Sequence, residues 1–456
     1  MVYGTGIVSD DFAMIVDLQN RGGLLSTLLP EGNFINIPVL HYTHGIFYYF
    51  TDTEHLFLIN FLKTAYVILA FYMVSKFFSV FLNESSALTA SFLFVFFPTH
   101  DSTNYFYLAQ YLLLCFSFYL FAYYLAYKDQ LIPAGIFATL ASFISYGSPP
   151  VAFFLFILCL FKKYYKKAFV LLAPNIAFTF YYIVTSKIMA VSISRLPAKL
   201  HFKSLLKQFV FQIGSFIDAI IGPSFFLKVW YSILENSGTS IMLAVLFVVG
   251  YIMISKSIKQ ENQQNNVNKK LFAALIVLTL TSLAMFAVTG YYPQMAFNLG
   301  NRVTIYGSLL AAYLLVTIPV PQNVRRVVLL IFLVAIVGIS AHWKQWNQHQ
   351  MYVIDNIRKN KELASYDGAE PIYVSGNQYS RMGPFTHIEF LSEHFVVDSI
   401  FKLVGYEKLS ARSLNKRFVY ENGAIIDKKY NDEHPVGGTV MVYNSESDQL
   451  LAISAQ

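Results

Sequence analysis

Ten apolar runs, at roughly 56–82, 86–97, 105–127, 131–146, 149–161, 168–190, 238–254, 271–289, 302–320 and 327–341, leave this chain few folds to choose from. A helix needs about 20 apolar residues to cross the hydrocarbon core of a bilayer, and there every backbone amide must be satisfied within the protein. Membrane-spanning helices meet both demands. Runs 86–97, 131–146 and 149–161 fall short of that length, so they are expected to tilt, to be extended by their polar ends or to re-enter. With hydrophobic residues at 56% and charged ones at 13%, a soluble globule of this length is excluded. The expected fold class is an α-helical polytopic membrane protein with about ten transmembrane helices.

Charge placement sets the orientation. Loops after the odd-numbered runs carry Lys128, then Lys162, Lys163, Lys166 and Lys167, then Lys256, Lys259, Lys269 and Lys270, and finally Arg325 and Arg326. Basic residues are retained on the cytoplasmic side, so the opposite loops, with Asp10, Asp11, Asp101, Asp218 and Glu235, face outward from the cell (inner or plasma) membrane. The net charge of +7 is therefore a topology signal, and nucleic acid is not an expected partner. Cys115 and Cys159 both lie inside apolar runs, which gives neither a disulfide framework nor a metal-binding spacing.

Three regions follow. Residues 1–55 are expected to form an outer loop, with no cleavable signal expected ahead of it, and residues 56–341 the transmembrane region. Within the latter, Leu206, Phe209, Val210, Ile213, Phe216, Ile217, Ile220 and Ile221 recur at helical spacing, so 203–222 reads as an amphipathic helix on the outer interface. The other reading is an eleventh span broken by Gly214 and Asp218. From 342 to 456 more than half of all the acidic residues appear, and turn signals multiply. A small extracytoplasmic α+β domain is expected there. It has a helix through Trp343, Trp346, Ile354 and Ile357, a strand at 371–374, a helix near His387 to Val404, a hairpin at Asn422-Gly423, and strands at 440–443 and 450–453.

Acid is scarce ahead of position 342, yet Asp10 and Asp11 stand side by side. Either one caps a short helix through Phe12 to Leu18, or the pair carries chemistry; a cap can do both. Pro98-Thr99-His100-Asp101-Ser102-Thr103-Asn104 is too short to fold as a unit and presents Asp101 at the membrane surface. His41 and His44, separated by two residues, and His100 lack a third ligand at a recognisable spacing. Hydrogen bonding to substrate, or plain interfacial placement, suits them better than a metal.

A carboxylate pair in the first outer loop, an acid in the second, about ten spans, a surface helix and an external C-terminal domain together resemble the GT-C glycosyltransferases. These include protein mannosyltransferases and bacterial O-antigen glucosyltransferases. The resemblance implies a sugar donor linked to polyprenyl phosphate, and a cell-surface glycan, lipid or protein as acceptor, with membrane lipids around both. It maps the first-loop motif onto Asp10-Asp11 and the second-loop acid onto Asp101. The family carries a helix ahead of its acidic loop, whereas this sequence opens within the loop, so that helix is expected to be absent or to lie upstream.

Such a transfer releases a phosphate and needs a base for the acceptor hydroxyl. Asp10 or Asp11 suits the base, with Asp101 orienting the acceptor or sharing a divalent cation, whose presence the sequence leaves open. Arg302 is the best-placed phosphate ligand, and a snorkelling anchor is its plainer role. Arg195, Lys199 and Lys203 are weaker donors, for which lipid headgroup contacts suffice. Two other classes stay in view: a polysaccharide polymerase or ligase, and a non-enzymatic flippase or transporter. The latter is disfavoured because Lys63, Lys76 and Lys187 lie near span ends.

Overall fold

The computed structural model describes residues 2–188, 201–257, 267–289, 293–367, 370–428 and 432–454. Each of the ten apolar runs contains a helix: Phe57–Phe78, Glu84–Val95, Gln110–Tyr127, Leu131–Ile144, Ser148–Phe161, Tyr165–Ile188, Thr239–Ser257, Lys269–Thr289, Ile305–Thr317 and Gln322–Lys359. Among the described residues, seven helices are long and apolar enough to cross a membrane, and Glu84–Val95, Leu131–Ile144, Ser148–Phe161 and Thr239–Gly250 are shorter apolar helices.

The helix expected over 203–222 forms as Phe202–Ile221, unbroken at Gly214 and Asp218, and Pro223–Leu234 follows it after Gly222; by length and composition the pair together counts as one of the seven. The stretch after Phe97 is more than a linker. It folds into a 3-10 turn at Pro98–His100 and a short helix at Ser102–Tyr105, and the next long helix begins only at Gln110.

By contacts the chain forms two compact units. The first contains Leu28–Ile46 and Asn60–His342; the second gathers Gly4–Thr27, Phe47–Ile59 and Trp343–Gln456. The break between the units falls between His342 and Trp343, one residue after the expected boundary, and most of the first loop groups with the C-terminal residues.

In the first unit, helix pairs interlock through aromatic rings and close backbone approach. Gly338 is the clearest case: a Cβ added there would fall 1.6 Å from the carbonyl oxygen of Ser232. Only glycine lets the helices Pro223–Leu234 and Gln322–Lys359 approach so closely.

In the second unit a four-stranded sheet has the order β4-β1-β8-β9, built from β1 (Ile372–Ser375), β4 (Ala411–Ser413), β8 (Thr439–Asn444) and β9 (Gln449–Ser454). β1 runs parallel to β4 and β8, and β8 is antiparallel to β9. β2 (Tyr379–Met382) pairs with β3 (Phe385–Glu389), and β5 (Phe418–Glu421), β6 (Ala424–Asp427) and β7 (Asp432–Pro435) form an antiparallel three-stranded sheet. The Asn422-Gly423 hairpin forms as expected, with both residues at positive φ, 53° and 78°. The helix expected from His387 starts later, at His394. His387 lies in β3, because the apolar residues around it pair with β2 before helical spacing begins.

Candidate functional site

Each unit encloses a carboxylate that the sequence singled out, and the surroundings of the two differ. In the second unit the backbone reaches the acid pair through Gly4 and Gly6, at φ 87° and 60°. Gly6 packs so tightly on Asn347 that a Cβ would lie 1.7 Å from Asn347 Oδ1. Val8 then accepts a hydrogen bond from the Asp11 amide at 3.0 Å, which closes a turn with Ser9 at φ 48°, ψ −119°. That is the first corner of a type II′ turn, a conformation glycine adopts freely and serine does not.

The turn is tied from both sides. Asp11 Oδ2 accepts from the Val8 amide at 2.9 Å, reciprocating the backbone bond, and Asp11 Oδ1 accepts from the Tyr48 hydroxyl at 2.5 Å. Asp11 and Tyr48 are both 0% exposed. Asp10 is half-buried, with Ser9 Oγ at 3.4 Å. The helix Asp10–Gln19 therefore begins with both acids in its first turn, where the helix dipole favours negative charge. Neither is the N-cap. Ser9 holds that position without a side-chain cap bond. Phe12, Ile15 and Leu18 bury one face of the helix, and the Phe12 ring lies 6.0 Å from that of Phe390.

In the first unit Asp101 is 2% exposed and lies inside the protein, not at the surface as its short loop suggested. Lys228 Nζ is 3.3 Å from Asp101 Oδ1, and the same oxygen accepts from Asn301 Nδ2 at 2.5 Å. Asn301 also accepts through Oδ1 from the amide and hydroxyl of Ser102. Thr304 donates to the Thr99 carbonyl. Lys228 is 0% exposed and sits 5.2 Å over the Phe297 ring. The rings of Phe97, Phe225 and Phe332 lie 5.7 to 5.9 Å apart and pack the stretch before Asp101 against the helices Pro223–Leu234 and Gln322–Lys359. Burial first, and the Asp101 charge second, push the Tyr105 phenol up.

The histidines are structural by their surroundings. One His100 nitrogen donates to the Phe94 carbonyl at 2.7 Å and the other lies 2.7 Å from the Thr103 hydroxyl. Burial lowers its pKa to about 4, against the opposing effects of the Phe94 bond and Asp101, so at neutral pH the ring is uncharged. His44 sits between the rings of Tyr66 and Tyr107, at 5.1 and 4.8 Å, and burial lowers its pKa to about 3. His41 is also enclosed, against Phe34 and Tyr42.

Arg302 is half-buried in the 3-10 turn Leu299–Thr304, next to Asn301, and so shares the anchor that fixes Asp101. Lys203 is exposed in the Phe202–Ile221 helix, and Arg195 and Lys199 lie outside the described residues. Asp101 already faces the ammonium of Lys228, Asp11 gives an oxygen each to Val8 and Tyr48, and among the described residues no three His, Cys, Asp or Glu side chains form a metal-sized group.

Sequence reasoning missed Lys228, Asn301 and the bond to Asp11 from Tyr48, a residue it counts among the sugar-stacking or interfacial aromatics. A signal existed for the first, since a lysine inside the apolar stretch Pro223–Leu234 is expensive unless paired. For the other two, neither a common polar residue in a loop nor one tyrosine among 32 marks itself out. No family model, curated protein or solved structure matches this chain.

Proposed function

We propose that the protein is a membrane glycosyltransferase of GT-C type, with about ten spans and with its first loop and C-terminal module on the outer face. It moves a sugar from a polyprenyl-phosphate donor to a glycan, lipid or protein acceptor. The observation that carries this reading is the acidic turn. Ser9 is held in a conformation costing on the order of 1–3 kcal/mol, and strain of that kind collects at working sites, where the surroundings over-determine it. Here the over-determination is visible: Asp11, Val8 and Tyr48 fix the turn, and Asp10 is the half-exposed member.

Asp10 is accordingly the base and Asp11 a positioning residue. The Asp10 carboxylate takes the acceptor hydroxyl proton, the acceptor oxygen bonds to the anomeric carbon, and the bond from that carbon to the phosphate oxygen breaks. Polyprenyl phosphate leaves with the electron pair.

The test uses asparagine, which keeps the size of aspartate and removes its basicity. Asp10→Asn is expected to fold and purify like the parent and to lose about 10²–10⁴ in transfer rate from a polyprenyl-phosphate sugar. Full turnover by Asp10→Asn and by the Asp10→Asn, Asp11→Asn pair would remove the proposal. A transporter is the second reading, favoured by one observation: Lys228 and Asp101 form an enclosed ion pair, and Lys228 lies in an apolar helix stretch. Proton-coupled or lipid-linked-sugar flux in proteoliposomes, with no transfer, would favour that reading.

A further inference from the structure

An apolar notch of about 110 Å³ opens in the first unit between the helices Glu84–Val95, Ile305–Thr317 and Gln322–Lys359. Leu93, Leu315, Val316, Val328 and Leu329 are half of its lining residues, and among the described residues Thr89 and Arg325 are the only polar ones. A cavity with such walls gives water too few partners to be a good water site. It suits hydrocarbon.

The polar mouth is a guanidinium. Arg325 Nη2 donates to the Ile318 carbonyl at 3.1 Å, at the C-terminal end of Ile305–Thr317, while its Nε is enclosed and has no acceptor among the described residues. Arg326 follows directly and is half-buried. Around the mouth Ile318, Val320, Val324 and Val327 are exposed apolar side chains, as on a surface that meets lipid tails.

We infer that this notch holds one anionic phospholipid of the bilayer. A segment of acyl chain fills the apolar pocket and the headgroup phosphate takes the donors of Arg325 and Arg326. Charge complementarity selects the occupant: the walls accept any acyl chain, but the two guanidinium charges are matched by a headgroup of net negative charge, whose phosphate oxygens accept from donors other than the one given to Ile318, and not by a headgroup that carries its own cation. Sugar transfer plays no part in this binding, so the inference stands or falls separately from the function proposed above.

Native mass spectrometry of the purified full chain in neutral detergent tests it with three probes: phosphatidylglycerol, phosphatidylcholine and inorganic phosphate. Phosphatidylglycerol is expected to bind at least about tenfold more tightly than phosphatidylcholine, and inorganic phosphate not to compete at equal concentration. Arg325→Gln should remove that preference. Thr89→Trp, which plugs the notch from a half-exposed position, should weaken both lipids together while the protein stays folded by its unfolding midpoint. Equal affinity for the two lipids, unchanged preference in Arg325→Gln, or competition by inorganic phosphate alone would overturn the site.

Discussion

Asp11 is held by neutral donors, an amide three residues back and a tyrosine hydroxyl from the same loop region, whereas Asp101 is held by an ammonium and an amide from positions 228 and 301. Both carboxylates are enclosed. Each solution answers a different problem. Around Asp11 the task is local: a short turn must be locked so that its neighbour Asp10 stands half-exposed at a helix N-terminus. Around Asp101 the task is long-range, since three segments far apart in sequence are joined within apolar surroundings, where a charge without a counter-charge is strongly unfavourable.

The sharpest way to break this contrast is to strand Asp101. Removing one partner of an enclosed pair typically costs about 3–5 kcal/mol, because the remaining charge is left uncompensated. Lys228→Met is expected to fall in that range, measured by unfolding of the purified protein in detergent. Adding Asp101→Asn to it should recover much of the loss, since no charge is then left behind. A double variant no more stable than Lys228→Met would mean that the two side chains are not coupled.

Acid separates the two regions next. His100 and His44, both in the unit that contains Asp101, have pKa values lowered by burial to about 4 and about 3. The unfolded chain takes up protons near pH 6.5 and the folded chain only well below it, so protonation favours unfolding. Stability contributed by each ring is whole above pH 6.5 and falls by about 1.4 kcal/mol per pH unit down to its folded pKa. Unfolding midpoints between pH 7 and 4.5 should show this slope, and His100→Gln and His44→Gln should each flatten it. Slopes that both variants leave unchanged would place the acid sensitivity elsewhere.

For the neutral solution the corresponding cut is Tyr48→Phe, which leaves an enclosed Asp11 oxygen short of one donor. The expected cost is about 1–3 kcal/mol, smaller than for the ion pair. Transfer should fall with it, since the turn that places Asp10 loses one of its two ties. An effect as large as that of Lys228→Met would erase the distinction between the two carboxylates.

What was legible in the sequence divides along the same line. Apolar runs announce helices because backbone satisfaction in an apolar setting is a local matter, and all ten runs contain one. Asn422-Gly423 announces its hairpin for an equally local reason, the ease of positive φ at both positions. The acid pair was visible as a helix start, though its members occupy the first turn and Ser9 the cap position. The partners of Asp101 were not visible, because no spacing rule links position 101 to 228 or 301. The loop after Phe97 was misjudged for that same reason: its own length suggests a linker, and only Asn301 and Thr304 show why it folds. Nor could residues 4–27 be seen to join the C-terminal module, since the apolar face of Phe12, Ile15 and Leu18 names no partner.

The smallest expected effect asks the most of the acidic turn. At φ 48°, ψ −119°, Ser9 is strained where glycine would not be, so Ser9→Gly should relieve that cost. Part of the gain is lost again, because glycine raises the conformational entropy of the unfolded chain by roughly 0.4–1 kcal/mol. The net expectation is a stabilisation of about 1 kcal/mol or less, read as a small rise in the unfolding midpoint. Ser9→Ala keeps the backbone strain and should show no such rise. Transfer should move the other way in Ser9→Gly, because a turn that no longer resists other conformations holds Asp10 less firmly at its station. A glycine variant that is more stable and equally active would show that the strain serves the fold alone, and the tie between Asp11 and Tyr48 would then be sufficient to position the base.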